Sequence, residues 1–151
     1  MKFNFSAIFV LLLLCLSCNG EFVGSEGKLR NCADSFATYY FNYRFQDAMR
    51  FCTPQSERWL NYAASNVHQA DVDILKTLSE GAGIEVTDLD ITDDTTATVR
   101  IHVTHFLQMD TIGTSGHIAR EATFVLPAVY AEKQWKIRME GLPRSEKSGR
   151  D

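Results

Sequence analysis

ATVRIHVTHFLQ, residues 97–108, sets Val99, Ile101, Val103, His105 and Leu107 in alternation with Arg100, His102, Thr104, Phe106 and Gln108. A period of two is the repeat of a β-strand, whose successive side chains point to opposite faces, so the stretch predicts a strand with one buried and one wet face. Upstream, residues 84–91 read as a second strand, joined to the first through a turn at Asp93-Asp94. Its apolar phase slips between Val86 and Leu89, which predicts a bulge near Thr87-Asp88. Downstream, residues 117–130 read as a third strand with Ala122, Phe124, Leu126 and Ala128 on one face. Pro127 has no N–H to give to a ladder, so an edge, a bulge or a bend is expected there. A short turn at Glu132-Lys133 leads to a fourth strand over 134–139, where Trp135, Ile137 and Met139 alternate with Lys136 and Arg138.

Ahead of residue 84 the period becomes helical. Ala33, Phe36, Ala37, Tyr40 and Phe41 recur at helical spacing, and Phe45, Ala48, Met49 and Cys52 resume it after a break at 42–44. Thr53-Pro54 opens a second helical segment to about Ser65, since a threonine hydroxyl can cap amide donors and proline at the first helical position has no donor to lose. A third runs over 67–82 to Gly81-Ala82-Gly83. An antiparallel sheet of about four strands with one apolar face must be covered by helices on that face, so the fold class is α+β, N-terminal helices packed on the apolar side of the sheet.

The ends carry other information. Met1-Lys2 precedes an apolar run that stops at Leu16-Ser17-Cys18, the form of a secretory signal over residues 1–17. Residues 18–31, with three glycines and no periodicity, read as a flexible tether. Residues 32–142 form the domain, and 143–151, polar and free of apolar residues after Pro143, read as a disordered tail. Without the leader, 14 cations stand against 19 acids, a net charge near −5. No basic stripe exists to neutralise phosphates, so nucleic acid is excluded as a partner. Cys32 and Cys52 remain as an even pair for an oxidising compartment. One straight helix would hold them about 30 Å apart. A sharp bend at 42–44 would bring Cys52 back toward Cys32, where a disulfide closing that loop would contribute about 3 kcal/mol. The alternative is a pair of small buried hydrophobes.

Cys18, with a small residue before it where the apolar run ends, resembles the lipobox of bacterial lipoproteins, which implies lipidation of Cys18 and a membrane anchor in the cell envelope. Cys15 holds the place where such motifs usually carry an aliphatic residue, so ordinary secretory cleavage is the other reading.

Phe36 and Tyr40, Phe45-Gln46-Asp47-Ala48, Cys52-Thr53-Pro54 and Gln134-Trp135-Lys136-Ile137, in that order, resemble the nuclear-transport-factor-2-like superfamily, also described as a cystatin-like cone. The likeness spans nearly all of residues 32–142. It implies a conical cavity, lined here by Phe36, Tyr40, Val103, His105 and Phe124, and fixes fold better than function.

His105, in phase with Val99, Ile101 and Val103, is expected to point inward, where an imidazole would act as general acid or base with Tyr40 as a phenol donor. The bland reading is a half-exposed, hydrogen-bonded histidine near the open end of the sheet. Phe106 and Trp135, expected to be exposed, would mark a partner surface if they fall together; alone, either is ordinary. Asp110 and His117 flank one hairpin loop, too thin a set for a structural metal. Neither a nucleophile elbow nor a phosphate-binding glycine loop occurs, and no cofactor is implied. Two functions follow: a non-enzymatic envelope module binding a small apolar ligand or an envelope partner, or an enzyme of isomerase, dehydratase or cyclase type using His105 and Tyr40. Cysteine-protease inhibition, suggested by the cystatin-like shape, lacks its Gln-x-Val-x-Gly hairpin.

Overall fold

The computed structural model describes residues 20–109 and 113–146, with side chains from residue 25 onward. The leader, Cys18 and Asp110 lie outside the described residues. In chain order the elements are α1 Gly20–Phe41, α2 Phe45–Ala48, α3 Glu57–Ser65, α4 Gln69–Thr77, β1 Gly83–Ile91, β2 Thr96–Gln108, β3 His117–Ala131 and β4 Gln134–Ile137. Short 3-10 turns, Met49–Phe51 and Pro54–Ser56, join α2 to α3.

The strands pair antiparallel in chain order, β1-β2-β3-β4. The sheet is curved and open, and α1 packs against β1, β2 and β4 inside the curve. Leu29, Ala33, Phe36 and Ala37 form the buried stripe of α1, facing Val99, Ile101 and Val103 of β2 and Leu126 and Ala128 of β3. The expected bulge lies in β1: Val86 opposes Ile101 and Asp88 opposes Arg100, so Thr87 is the extra residue. Pro127 lies within β3 opposite Thr98, and its carbonyl accepts from the Arg138 amide beyond the end of β4. Because N and C=O of one residue point to the same side of an antiparallel strand, its missing donor faces that edge and costs β2 no bond.

Several boundaries are corrected. The tether expected over 18–31 is helical from Gly20, and Leu29 within it is fully buried. Ser25 Oγ accepts the indole N–H of Trp135 at 2.9 Å, so that stretch docks on β4. The helix expected over 67–82 is α4, nine residues long. Leu78 at its end is extended, and the Ala82 amide instead donates to the side-chain oxygen of Asn42 at 2.8 Å. The Thr53 hydroxyl pairs with the Ser56 hydroxyl at 2.7 Å rather than with a helix amide. Residues 143–146 of the expected tail lie on β3: Ser145 bridges to Phe124 and the Glu146 amide donates to the Thr123 carbonyl at 2.8 Å. Trp135 is only 4% exposed, packed with its parity mates Ile137 and Met139, and marks no partner surface.

The bend at 42–44 exists, with Tyr43 in left-handed backbone at φ 61°. It brings the two cysteines into one buried neighbourhood, where both stand as free thiols. Cys32 donates to the carbonyls of Trp135 at 3.1 Å and Phe51 at 3.5 Å, and Cys52 to that of Met49 at 3.5 Å. Burial pushes both up to about 11, so neither is a thiolate at neutral pH.

Two hairpins show opposite turn chemistry. Asp93 ties the β1–β2 turn by accepting from the amides and hydroxyls of Thr95 and Thr96, and these bonds hold its carboxyl down to about 2. The β3–β4 turn places Glu132 and Lys133 at φ 53° and 63°, the pattern of a two-residue turn that glycine fills without strain. Lys133→Gly should therefore raise unfolding stability by about 1 kcal/mol. Chemical denaturation measures it, and a loss of stability would contradict this turn geometry.

Candidate functional site

The site begins with a departure from strand alternation in β2. His105 has φ 55°, left-handed backbone that histidine enters more readily than most residues but that is uncommon inside a strand. The ladder keeps its offset on both sides, Thr104 opposite Glu121 and Phe106 opposite Ala119, so no residue is inserted. Facing is reset at this point: His105 and Arg120 are exposed, whereas Phe106 and Leu107 are both buried.

Phe106, turned inward, meets Phe41 of α1 and Phe124 of β3 with ring centroids 5.5 and 5.7 Å away, and Phe41 and Phe124 stand 4.6 Å apart. Tyr40 joins this group through Phe41 at 5.1 Å and Phe45 at 5.5 Å, and Tyr43 joins through Phe45 at 5.5 Å. These separations lie in the range where edge-to-face and tilted rings attract. The rings do not close on one another. They line an open cavity of about 310 Å³, completed by Ala63 of α3, by Leu107 and Gln108 at the end of β2 with Met109 after it, and by Leu142–Ser145. That volume is at the small end of ligand sites, which run from about 300 to 1,000 Å³.

Ser145 and Glu146 fasten the 142–145 wall by pairing with the β3 edge. On the outer face the Glu146 carboxylate meets Arg100 at 3.3 Å, and Arg100 also meets Asp88 at 3.1 Å. Behind the cavity, Asp71 of α4 is completely buried. Its carboxylate accepts the Gly116 amide at 2.7 Å and the His68 amide at 2.8 Å, with the His68 ring 3.5 Å away. Burial pushes the Asp71 carboxyl up, but the two amides and the imidazole outweigh it and hold the group below the usual carboxylate range. Gly116 is required here because a Cβ would lie 2.6 Å from the Gln108 carbonyl oxygen. Asp71 thus pins α4 to the end of the β2–β3 hairpin.

Two phenols face the cavity. Burial, and next the charge of Asp71, raises Tyr43. Burial, and next Tyr43, raises Tyr40. Both stay protonated donors at neutral pH. Tyr43 spends its proton on the Leu107 carbonyl at 3.0 Å, while Tyr40 has no hydrogen-bond partner among the described residues.

Of the lining expected from sequence, Tyr40 and Phe124 are in the wall. Phe36 and Val103 are fully buried beneath it, in the core. His105 is outside: left-handed backbone turns it to solvent, so it neither lines the cavity nor approaches Tyr40 as a base. Sequence reasoning missed Phe41, Phe45, Phe106 and the 142–145 wall. The available signal was the apolar pair Phe106-Leu107 directly after His105, which two-fold alternation cannot accommodate.

No protein-family model and no curated protein matches the chain. Solved structures with a similar chain path include a ketosteroid isomerase-like protein from Erwinia carotovora atroseptica SCRI1043 (TM-score 0.48, 13% identity, 74% of this chain and 90% of that chain). A putative aromatic ring hydroxylase from Novosphingobium aromaticivorans DSM gives 0.49, 11%, 82% and 94%. An Ntf2-like protein involved in plasmid conjugation gives 0.40 and 11%, with 83% of this chain spanning 50% of that one. The class is α+β, helices first and then an open, curved antiparallel meander packed on α1.

Two substitutions probe this geometry. His105→Val, which restores simple alternation but resists left-handed backbone, should destabilise the protein by about 1–2 kcal/mol, whereas His105→Gly should be neutral or stabilising. Equal effects of both in thermal unfolding would contradict the turned backbone. Asp71→Asn should cost about 2–3 kcal/mol at neutral pH. The folded pKa of Asp71 lies below its unfolded value, so its contribution is complete above about pH 4 and is lost as pH falls through the lowered folded value. The stability gap between wild type and Asp71→Asn should therefore narrow below pH 4, and a gap independent of pH would contradict the assignment.

Proposed function

We propose that the chain is the binding body of an exported envelope protein, anchored by lipid on Cys18, and that its cone holds a small, ring-bearing apolar ligand. The observation that carries this reading is the aromatic cavity: five rings of α1, α2, β2 and β3, with Tyr43 beside them, leave an open space instead of filling it. Apolar walls with a few placed polar groups are the usual make-up of small-molecule sites, and an unpartnered phenol such as Tyr40 orients what enters. The anchor rests on the leader and on the Leu16-Ser17-Cys18 sequence. Among the described residues no helix is long and apolar enough to cross a membrane.

The enzymatic alternative, proton transfer by His105 with Tyr40, loses its base because His105 faces away from the cavity. Among the described residues, the ionisable side chains lining the space are Tyr40, Tyr43 and Arg144, with no carboxylate or imidazole in the set.

Mass spectrometry of the protein purified from its native envelope tests the reading. The expected result is a lipid-modified N-terminus at Cys18 and a small molecule that survives native spraying but leaves on denaturation. Leu142→Trp, which places an indole in the half-open wall, should lose that molecule while its melting temperature stays close to wild type. Recovery of an unmodified chain still starting at Met1, or of undiminished ligand in Leu142→Trp, would contradict the proposal.

A further inference from the structure

We propose that the cavity's ligand is an apolar acid, with its ring among the aromatic side chains and its carboxylate on Arg144 at the mouth. This inference rests on the cavity reading above and adds the chemical class of the occupant. Arg144 lies in the 142–145 wall and is exposed. It is no loose tail residue, because the backbone on its C-terminal side is paired to β3 at Phe124 and Thr123.

Most other guanidinium groups on the body are occupied. Arg44 and Arg50 share Asp47, Arg100 holds Asp88 and Glu146, Arg138 holds Glu140, Arg30 donates to the Val86 carbonyl, and Arg58 lies over the Trp59 ring. Arg120 of β3 is exposed and lies outside the cavity wall. At the cavity mouth, no acid of the described residues pairs with Arg144. Glu146, two residues away, is turned to Arg100. A protein with a net charge of −4 repels anions overall, so an unpaired guanidinium at the rim of its aromatic cavity is a local exception.

The chemistry of the rest of the wall agrees with an acid of this kind. A carboxylate deep among the rings would be buried without a counter-charge, at a desolvation cost of several kcal/mol. At the rim it keeps part of its hydration and meets a planar fork suited to two parallel N–H···O bonds. The interior then receives only the ring, and the Tyr40 phenol is left to donate to any oxygen the ring carries. Neutral apolar molecules fit the interior equally well but gain nothing from Arg144.

Binding of naphthoate and of its uncharged amide, naphthamide, to the mature protein at low salt separates the two levels of the reading. Wild type should bind naphthoate about five- to tenfold more tightly than naphthamide, and the preference should shrink as salt is raised. Arg144→Gln should abolish the preference through weaker naphthoate binding, with a melting temperature close to wild type showing that the variant is folded. Equal affinity of wild type for both compounds, or a preference that survives in Arg144→Gln, would overturn the anionic-head inference and leave the apolar cavity standing. Binding of neither compound would overturn this inference together with the cavity reading on which it rests.

Discussion

Left-handed backbone at His105 decides what the cone encloses. Such a conformation costs a non-glycine residue roughly 1–2 kcal/mol. Against that, burying a phenylalanine returns about 1.5–3 kcal/mol, and each favourable ring pair adds about 0.5–1.5 kcal/mol. Phe106 gains two such pairs, with Phe41 and Phe124, and the imidazole of His105 returns to water. Burial of the ring outweighs the strained backbone. Extended backbone at this one position would continue the alternation of Val99, Ile101 and Val103, put His105 into the cone and leave Phe106 on the solvent side.

Much of the fold was legible because its signals are local. Alternation over 97–104, the phase slip before Asp88, the turns at Asp93-Asp94 and Glu132-Lys133 and the break at 42–44 all correspond to observed features. Each depends on residues within one or two turns of chain. What escaped depends on partners far away. Gly20–Asn31 lacks an apolar stripe, yet Leu29 is covered and Ser25 takes the Trp135 indole 110 residues later. Residues 143–146 are polar because they lie on a sheet edge, held through backbone pairing that composition does not encode.

The candidate site was half legible. Helical and strand phase put Tyr40 and Phe124 on inward faces, the resemblance implied a cavity there, and both are in the wall. His105 does not, because a period of two carries no information about a residue that leaves the β region. The cavity is therefore assembled from segments that the sequence assigned to other roles: the inward-turned end of β2 and the stretch beyond β4. Asp71 supports it from behind, a fully buried carboxylate whose two amide donors come from the start of α4 and from Gly116 of the β2–β3 connection. Rigid elements supply the rings, while the 142–145 wall rests on the packing of Leu142, two backbone contacts and one exposed ion pair, a weaker hold. Entry to the cone is accordingly easiest past that wall, where Arg144 stands.

Thiol accessibility at two neighbouring positions tests the turned strand most directly. With Cys32 and Cys52 buried and protonated, a single introduced cysteine dominates labelling of the native domain from which the leader has been removed and Cys18 replaced by serine. His105→Cys should react with a maleimide at a rate close to that of an unfolded peptide, and Phe106→Cys should be strongly protected. Protection at position 105 with rapid labelling at 106 would mean that β2 runs straight, and the aromatic cavity as described would not exist.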